Sequence, residues 1–142
     1  MKNMKHIIFA IVLLIPLSFA YAQTKITVNC DSAATQVEMN FCAEQGFRDA
    51  DKELNSVYRQ LMQVLRSGRN TKDSAQVAYN KKLENAVIQA QKKWLEFRDS
   101  CANVWRVKYE GGSVMPVIYY GVMTSLTRAQ TRELQDVLND SK

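Results

Sequence analysis

Apolar residues recur at spacings of three and four through most of this chain, and strand-like alternation is nowhere sustained. The first periodic stretch opens with Thr35-Gln36-Val37-Glu38, a capping-box pattern in which hydroxyl and carboxylate satisfy each other's free backbone donors. It continues through Phe47, Ala50, Leu54, Tyr58, Leu61 and Leu65, which form one buried face. Arg66-Ser67-Gly68-Arg69-Asn70-Thr71-Lys72 interrupts it, since Gly68 and Asn70 suit a helix C-terminus and turn. The second stretch places Leu83, Val87, Ala90, Trp94, Phe97, Cys101 and Val104 on alternating steps of four and three, a seam that packs against a neighbouring helix. Glu110-Gly111-Gly112-Ser113 ends it, because paired glycines are costly inside a helix. The third runs from Val114 to about Leu138 and buries some of Val117, Ile118, Met123, Leu126, Leu134, Val137 and Leu138. Pro116 sits in its first turn, where a missing donor costs nothing. Thr127-Arg128-Ala129-Gln130 resembles a second capping box, so a kink or restart is expected there. The pattern predicts an all-α fold, a three-helix antiparallel bundle.

The N-terminus changes the compartment. Lys2 and Lys5 precede an apolar run from Ile7 to Phe19, and Ala20-Tyr21-Ala22 supplies the small residues a signal peptidase needs. Pro16 and Ser18 break the run, which falls short of the roughly 20 apolar residues of a bilayer span. Residues 1–22 are therefore read as a cleaved signal peptide, and residues 23–142 as one periplasmic or secreted domain with no membrane anchor after cleavage. Cleavage removes two of the 19 basic residues and none of the 14 acidic ones, leaving 17 against 14, a net charge of +3. The lysines and arginines alternate with acids along helical faces instead of forming the basic stripe of a nucleic-acid binder, so no nucleic-acid partner is expected. The leader also carries His6, the only histidine. Without an imidazole the domain cannot build a Ser-His-Asp or Cys-His nucleophile or a histidine zinc site. No catalytic residue, metal or cofactor is expected, and the chain reads as a non-enzyme.

Four short motifs carry a family resemblance: Thr35 through Glu38-Met39-Asn40 to Cys42; Asp51-x-Glu53-Leu54-Asn55-x-x-Tyr58; Gln91-x-x-Trp94-x-x-Phe97-Arg98-Asp99-x-Cys101; and Gly112-Ser113 with Leu126-Thr127. In order and spacing they resemble the LprI-like lysozyme-inhibitor family of small exported domains. The resemblance implies a protein partner, a lysozyme-type cell-wall glycosidase, inhibited by occlusion of its cleft. The alternative is an envelope interaction or assembly module without inhibitory activity. Members resembling this pattern have a fourth cysteine before the Leu-Thr of the last helix, where this chain has Val122 and Met123, and arginine is common at the position of Gln130.

A Cys30–Cys42 disulfide is expected to close an N-terminal loop. Twelve residues on one straight helix would span about 18 Å, beyond the roughly 4.4–6.8 Å between Cα atoms that a bridge tolerates, so the chain must double back at Asp31 and Ser32. Cys101, lacking its expected partner, is read as a free, buried thiol packing on the seam. Asp51 and Asn55 lie four apart on one helical face, and an ion pair from Arg98 to Asp51 with Asn55 beside it would set helix register as a structural polar pair. Trp94 reads as core, and Trp105, one step off the seam, as partly exposed. A plug for a cleft holding two carboxylates needs hydrogen-bond donors on a protruding loop. Two loops qualify: Arg66, Arg69 and Lys72 in the first, and Tyr109, Gly112 and Ser113 in the second. Ordinary solvent-facing connectors are the alternative reading of both. Common lysozymes are themselves basic, so a uniform +3 offers no long-range steering.

Overall fold

A computed structural model describes residues 28–141; the signal peptide expected over residues 1–22 and the domain boundary after it lie outside them. A 3-10 turn, Cys30–Ser32, precedes helices α1 (Gln36–Ser67), α2 (Ser74–Lys108) and α3 (Met115–Asp140), with no strand among the described residues. Each start has a local cause. Thr35 accepts from the Glu38 N–H at 3.2 Å while the Glu38 carboxylate accepts from the Thr35 N–H at 2.9 Å, the reciprocal box its sequence predicts. Asp73 caps α2 by accepting from the N–H groups of Ala75 and Gln76. Pro116 sits in the first turn of α3, which has no side-chain cap.

Cross-helix pairs define the topology. Arg66 meets Glu84 and Asp51 meets Arg98, so α1 and α2 are antiparallel. Phe47 stacks on Tyr120, and Asn40 reaches Ser113, so α1 and α3 run parallel and form the largest interface. Gln130 bonds Gln91 and makes α2 antiparallel to α3. The molecule thus has two ends. One holds the 3-10 turn, the start of α1, the end of α2 and the 109–114 loop; the other holds the 68–73 loop and the end of α3.

The core is unevenly distributed between these ends. Leu54, Val57, Leu61, Met62, Leu65, Val87, Leu134 and Leu138 form one buried cluster, with Tyr58, Leu83 and Trp94 packed against it, all toward the 68–73 end. At the other end the buried hydrophobic residues shrink to Ala50, Ala102 and Met123. That half has less apolar burial to hold it, and it is the half that carries the Cys30–Cys42 disulfide, with Cα atoms 5.5 Å apart.

Three sequence expectations need correction. The face α2 turns inward is shifted by about one position from the apolar seam: Glu84, Arg98 and Ala102 are buried, while Phe97 is 55% and Val104 64% exposed. Ala90 is exposed too. Periodicity sees only apolar residues, whereas Glu84 and Arg98 are buried because each finds partners of opposite charge. Cys101 is unpaired but half-buried, because the shift carries it to the edge of the interface. Finally, α3 runs unbroken through Thr127, which is fully buried with its hydroxyl unpartnered and its carbonyl accepting from Thr131 Oγ1 at 2.9 Å. Packing against α1 and α2 holds it helical where the local pattern offered a cap.

Candidate functional site

The residues proposed from sequence separate into a structural node, a closed loop and an open loop. The node joins α1 to α2. Arg98 Nη1 donates to Asp51 Oδ1 at 3.1 Å and its Nε to Asp99 Oδ1 at 2.9 Å. Asn55 Nδ2 donates to Asp51 Oδ2 at 2.9 Å and to the Asp51 carbonyl at 2.8 Å. The guanidinium lies 5.3 Å from the Phe47 ring centre and 5.2 Å from that of Trp94. With Nε and Nη1 engaged by two carboxylates, two aromatic rings within cation–π distance and the residue buried, this arginine reads as a device that fixes register more than as a ligand site.

The 68–73 loop is closed by charge. Arg66 Nε sits 2.8 Å from Glu84 Oε1 and Arg69 Nη1 3.1 Å from Glu84 Oε2, so the one buried carboxylate engages both arginines. Arg66 belongs to the last turn of α1 and not to the loop. Lys72 is exposed and makes no ion pair among the described residues. Gly68 sits close against α2: its φ is −65°, an ordinary helical value, and an added Cβ would force the Asn80 side-chain amide to move. A depression of about 470 Å³ beside it is lined by Ser67, Thr71, Asp73, Asn80 and Ser141. Asp73 there is occupied in capping α2, and the depression holds no free ionisable group.

The Glu84 carboxyl is held below its ordinary value of 4.5 chiefly by the Arg66 hydrogen bond, with the Arg69 charge adding to it. The folded chain therefore binds this proton less tightly than the unfolded chain. Its stabilisation is complete above that ordinary value and is lost as pH falls through the lower folded one. Glu38 behaves alike, lowered by the N–H groups of Thr35 and Ala34. Thermal unfolding followed between about pH 6 and 3 should show stability falling on the acid side, and Glu84→Gln should flatten that fall while lowering the midpoint at neutral pH. A Glu84→Gln profile parallel to the wild type would contradict the assignment.

The 109–114 loop is open. Tyr109 caps α2, its N–H reaching the Trp105 carbonyl at 3.1 Å, and its ring stacks on Trp105 at 6.2 Å. Lys108 Nζ lies 5.0 Å and 5.7 Å from those two ring centres. Gly111 has φ +77°, the left-handed conformation that favours glycine, and so turns the chain at the tip. The loop is braced as well as bent: Gly112 N–H reaches the Tyr109 carbonyl at 3.0 Å, and Asn40 Nδ2 reaches the Ser113 carbonyl at 3.3 Å. The Tyr109 hydroxyl, the Ser113 hydroxyl and the Lys108 ammonium make no hydrogen bond within the described residues.

Around this tip the end of the molecule is apolar. Val37 is 79% exposed, and Met39, Phe41, Trp105 and Val114 each more than a third. The end is also acidic. Divided at the Asp51–Arg98 level, the half holding the disulfide (residues 29–51 and 98–124) has seven carboxylates against four cations, a net −3; the other half (52–97 and 125–141) has seven against eleven, a net +4. Sequence reasoning put forward Tyr109, Gly112 and Ser113, named Gly111 only as part of the helix break and Asn40 only within a motif, and left Lys108 unmarked. The glycine pair was the one local signal, and the Asn40 contact spans 73 positions. Among the described residues no group of three or more His, Cys, Asp and Glu side chains gathers, and no helix is long and apolar enough to cross a membrane.

The sequence pattern of the family described as "Lysozyme inhibitor LprI" matches residues 29–134. An uncharacterized protein of Rhizobium meliloti (strain 1021) is 32% identical over 114 residues, covering 80% of this chain and 81% of the relative. No solved structure matches the chain.

Proposed function

Because the chain belongs to the LprI lysozyme-inhibitor family, we propose that it inhibits a lysozyme-type glycosidase by seating its disulfide end in the enzyme's sugar-binding cleft. In this reading residues 1–22 are removed on export and the domain acts in the periplasm or outside the cell. The observation that carries the proposal is the braced tip at Gly111 surrounded by exposed apolar side chains. A rigid projection loses little freedom on binding, so more of its contact energy appears as affinity. The Trp105–Tyr109 stack, partly open to solvent, supplies the residue types that dominate binding energy at interfaces. The Tyr109 and Ser113 hydroxyls and the Lys108 ammonium are donors for the two carboxylates of a glycosidase cleft. The 68–73 loop is the weaker candidate, since Arg66 and Arg69 would have to leave Glu84.

The distribution of charge favours the same end. A uniform +3 would repel a basic lysozyme, but a net −3 on the half that docks directs the approach to a cationic partner. The test is lysis of cell-wall substrate by several lysozyme types with oxidised residues 23–142 in molar excess. Inhibition is expected, weakened about tenfold or more by Lys108→Ala with Tyr109→Ala, as for central interface residues. Arg69→Ala should leave inhibition unchanged. Lysozymes that stay fully active would sink the proposal and favour an envelope docking module.

A further inference from the structure

Helix α2 presents an unpartnered stripe on the side away from the bundle. Tyr79, Lys82, Lys93, Phe97, Val104 and Val107 follow one another at helical spacing, with Ala86, Gln89 and Ser100 on the turns between. Four of these are among the five most exposed large hydrophobic residues described: Val104 at 64%, Tyr79 at 60%, Phe97 and Val107 at 55%. The stripe holds two exposed lysines and no carboxylate. The acids of this helix lie elsewhere: Glu84 faces Arg66 and Arg69, Asp99 faces Arg98, and Glu96 sits one position to the side. From Tyr79 to Val107 the stripe runs for about 42 Å.

We propose that this stripe docks the domain on the surface of a bilayer containing anionic phospholipid, with α2 lying in the interface. The combination carries the inference. A helix face that alternates lysines with aromatic and aliphatic side chains sinks its apolar groups to the acyl boundary, while the lysines extend their ammonium groups to lipid phosphates. The helix lies on the membrane and does not cross it, since no window of the described helices is apolar enough to span. Charge favours the lipid surface: two copies placed face to face would set lysine against lysine with only Glu96 at the stripe's edge to offset them, whereas an anionic headgroup layer presents a phosphate to each lysine. The stripe runs along the side of the bundle and stops at Val107, one residue short of Lys108, so docking and inhibition draw on different residues.

The experiment is co-sedimentation of oxidised residues 23–142, which contain every element of the fold, with vesicles of phosphatidylglycerol and phosphatidylcholine or of phosphatidylcholine alone. Binding is expected to the mixed vesicles and not the neutral ones, and should fall steeply on going from low salt to about 0.5 M. Lys82→Gln with Lys93→Gln changes only exposed side chains and should weaken binding at least about tenfold. Phe97→Ser with Val104→Ser should weaken it similarly, with an unchanged helical spectrum. Absence of binding, equal binding to neutral vesicles, or variants that bind like the wild type would overturn the proposal. Light scattering that finds a wild-type dimer and a Phe97→Ser, Val104→Ser monomer would overturn it too, by making the stripe a contact between copies.

Discussion

Replacing Arg98 by alanine should lower the folding free energy by about 3 kcal/mol, the sum expected of two charge-assisted hydrogen bonds and two cation–π contacts. The side chain is 9% exposed, bonds Asp51 and Asp99, and lies within cation–π distance of Phe47 and Trp94. At this level the buried hydrophobic residues are Ala50, Ala102 and Met123. Arg98 therefore supplies much of what joins α1 to α2. The carboxylates it leaves behind are 37% and 60% exposed and regain water. The loss consequently comes from the missing packing, cation–π and hydrogen-bond contacts, not from a stranded buried charge. Arg98→Met keeps most of the stem and should cost about half as much. Chemical denaturation of the two variants checks this, and a loss below about 1 kcal/mol for the alanine variant would show that register is held elsewhere.

Breaking the disulfide by Cys30→Ser with Cys42→Ser should cost about 3 kcal/mol in the chain-entropy model for a loop closed across twelve positions. For a domain of this size that lowers the thermal midpoint by roughly 12 °C. The bridge matters because the half it closes is the one poor in large buried side chains. Reductant should reproduce the shift in the wild type and have no effect on the double variant. Cys101, half-buried and unpaired, plays no part in it, so Cys101→Ser should leave both midpoints nearly unchanged. An oxidised wild type melting with the serine variant would contradict the assigned role.

What could be read from the sequence was local. The box at Thr35 and Glu38, the two breaks and the buried face of α1 depend on residues within a few positions of one another, and the structure has them where the spacing places them. The inward face of α2 was not legible, because it includes Glu84 and Arg98, whose partners stand 18 and 47 positions away. The same distance misled the reading of the first loop: Arg66 and Arg69 look like free donors until α2 folds back and brings Glu84 between them. Thr127 carried a capping pattern that burial overrode. The net charge of the domain gave no hint of its division into an acidic and a basic half, which exists only once the start of α1 is set beside the end of α2.

Amide hydrogen exchange on the oxidised domain, alone and with a lysozyme in excess, tests most directly the claim that the disulfide end occupies the cleft. Protection is expected at residues 109–114 and across the start of α1, with exchange in the 68–73 loop unchanged. Protection centred on the 68–73 loop, or none at either end, would contradict it.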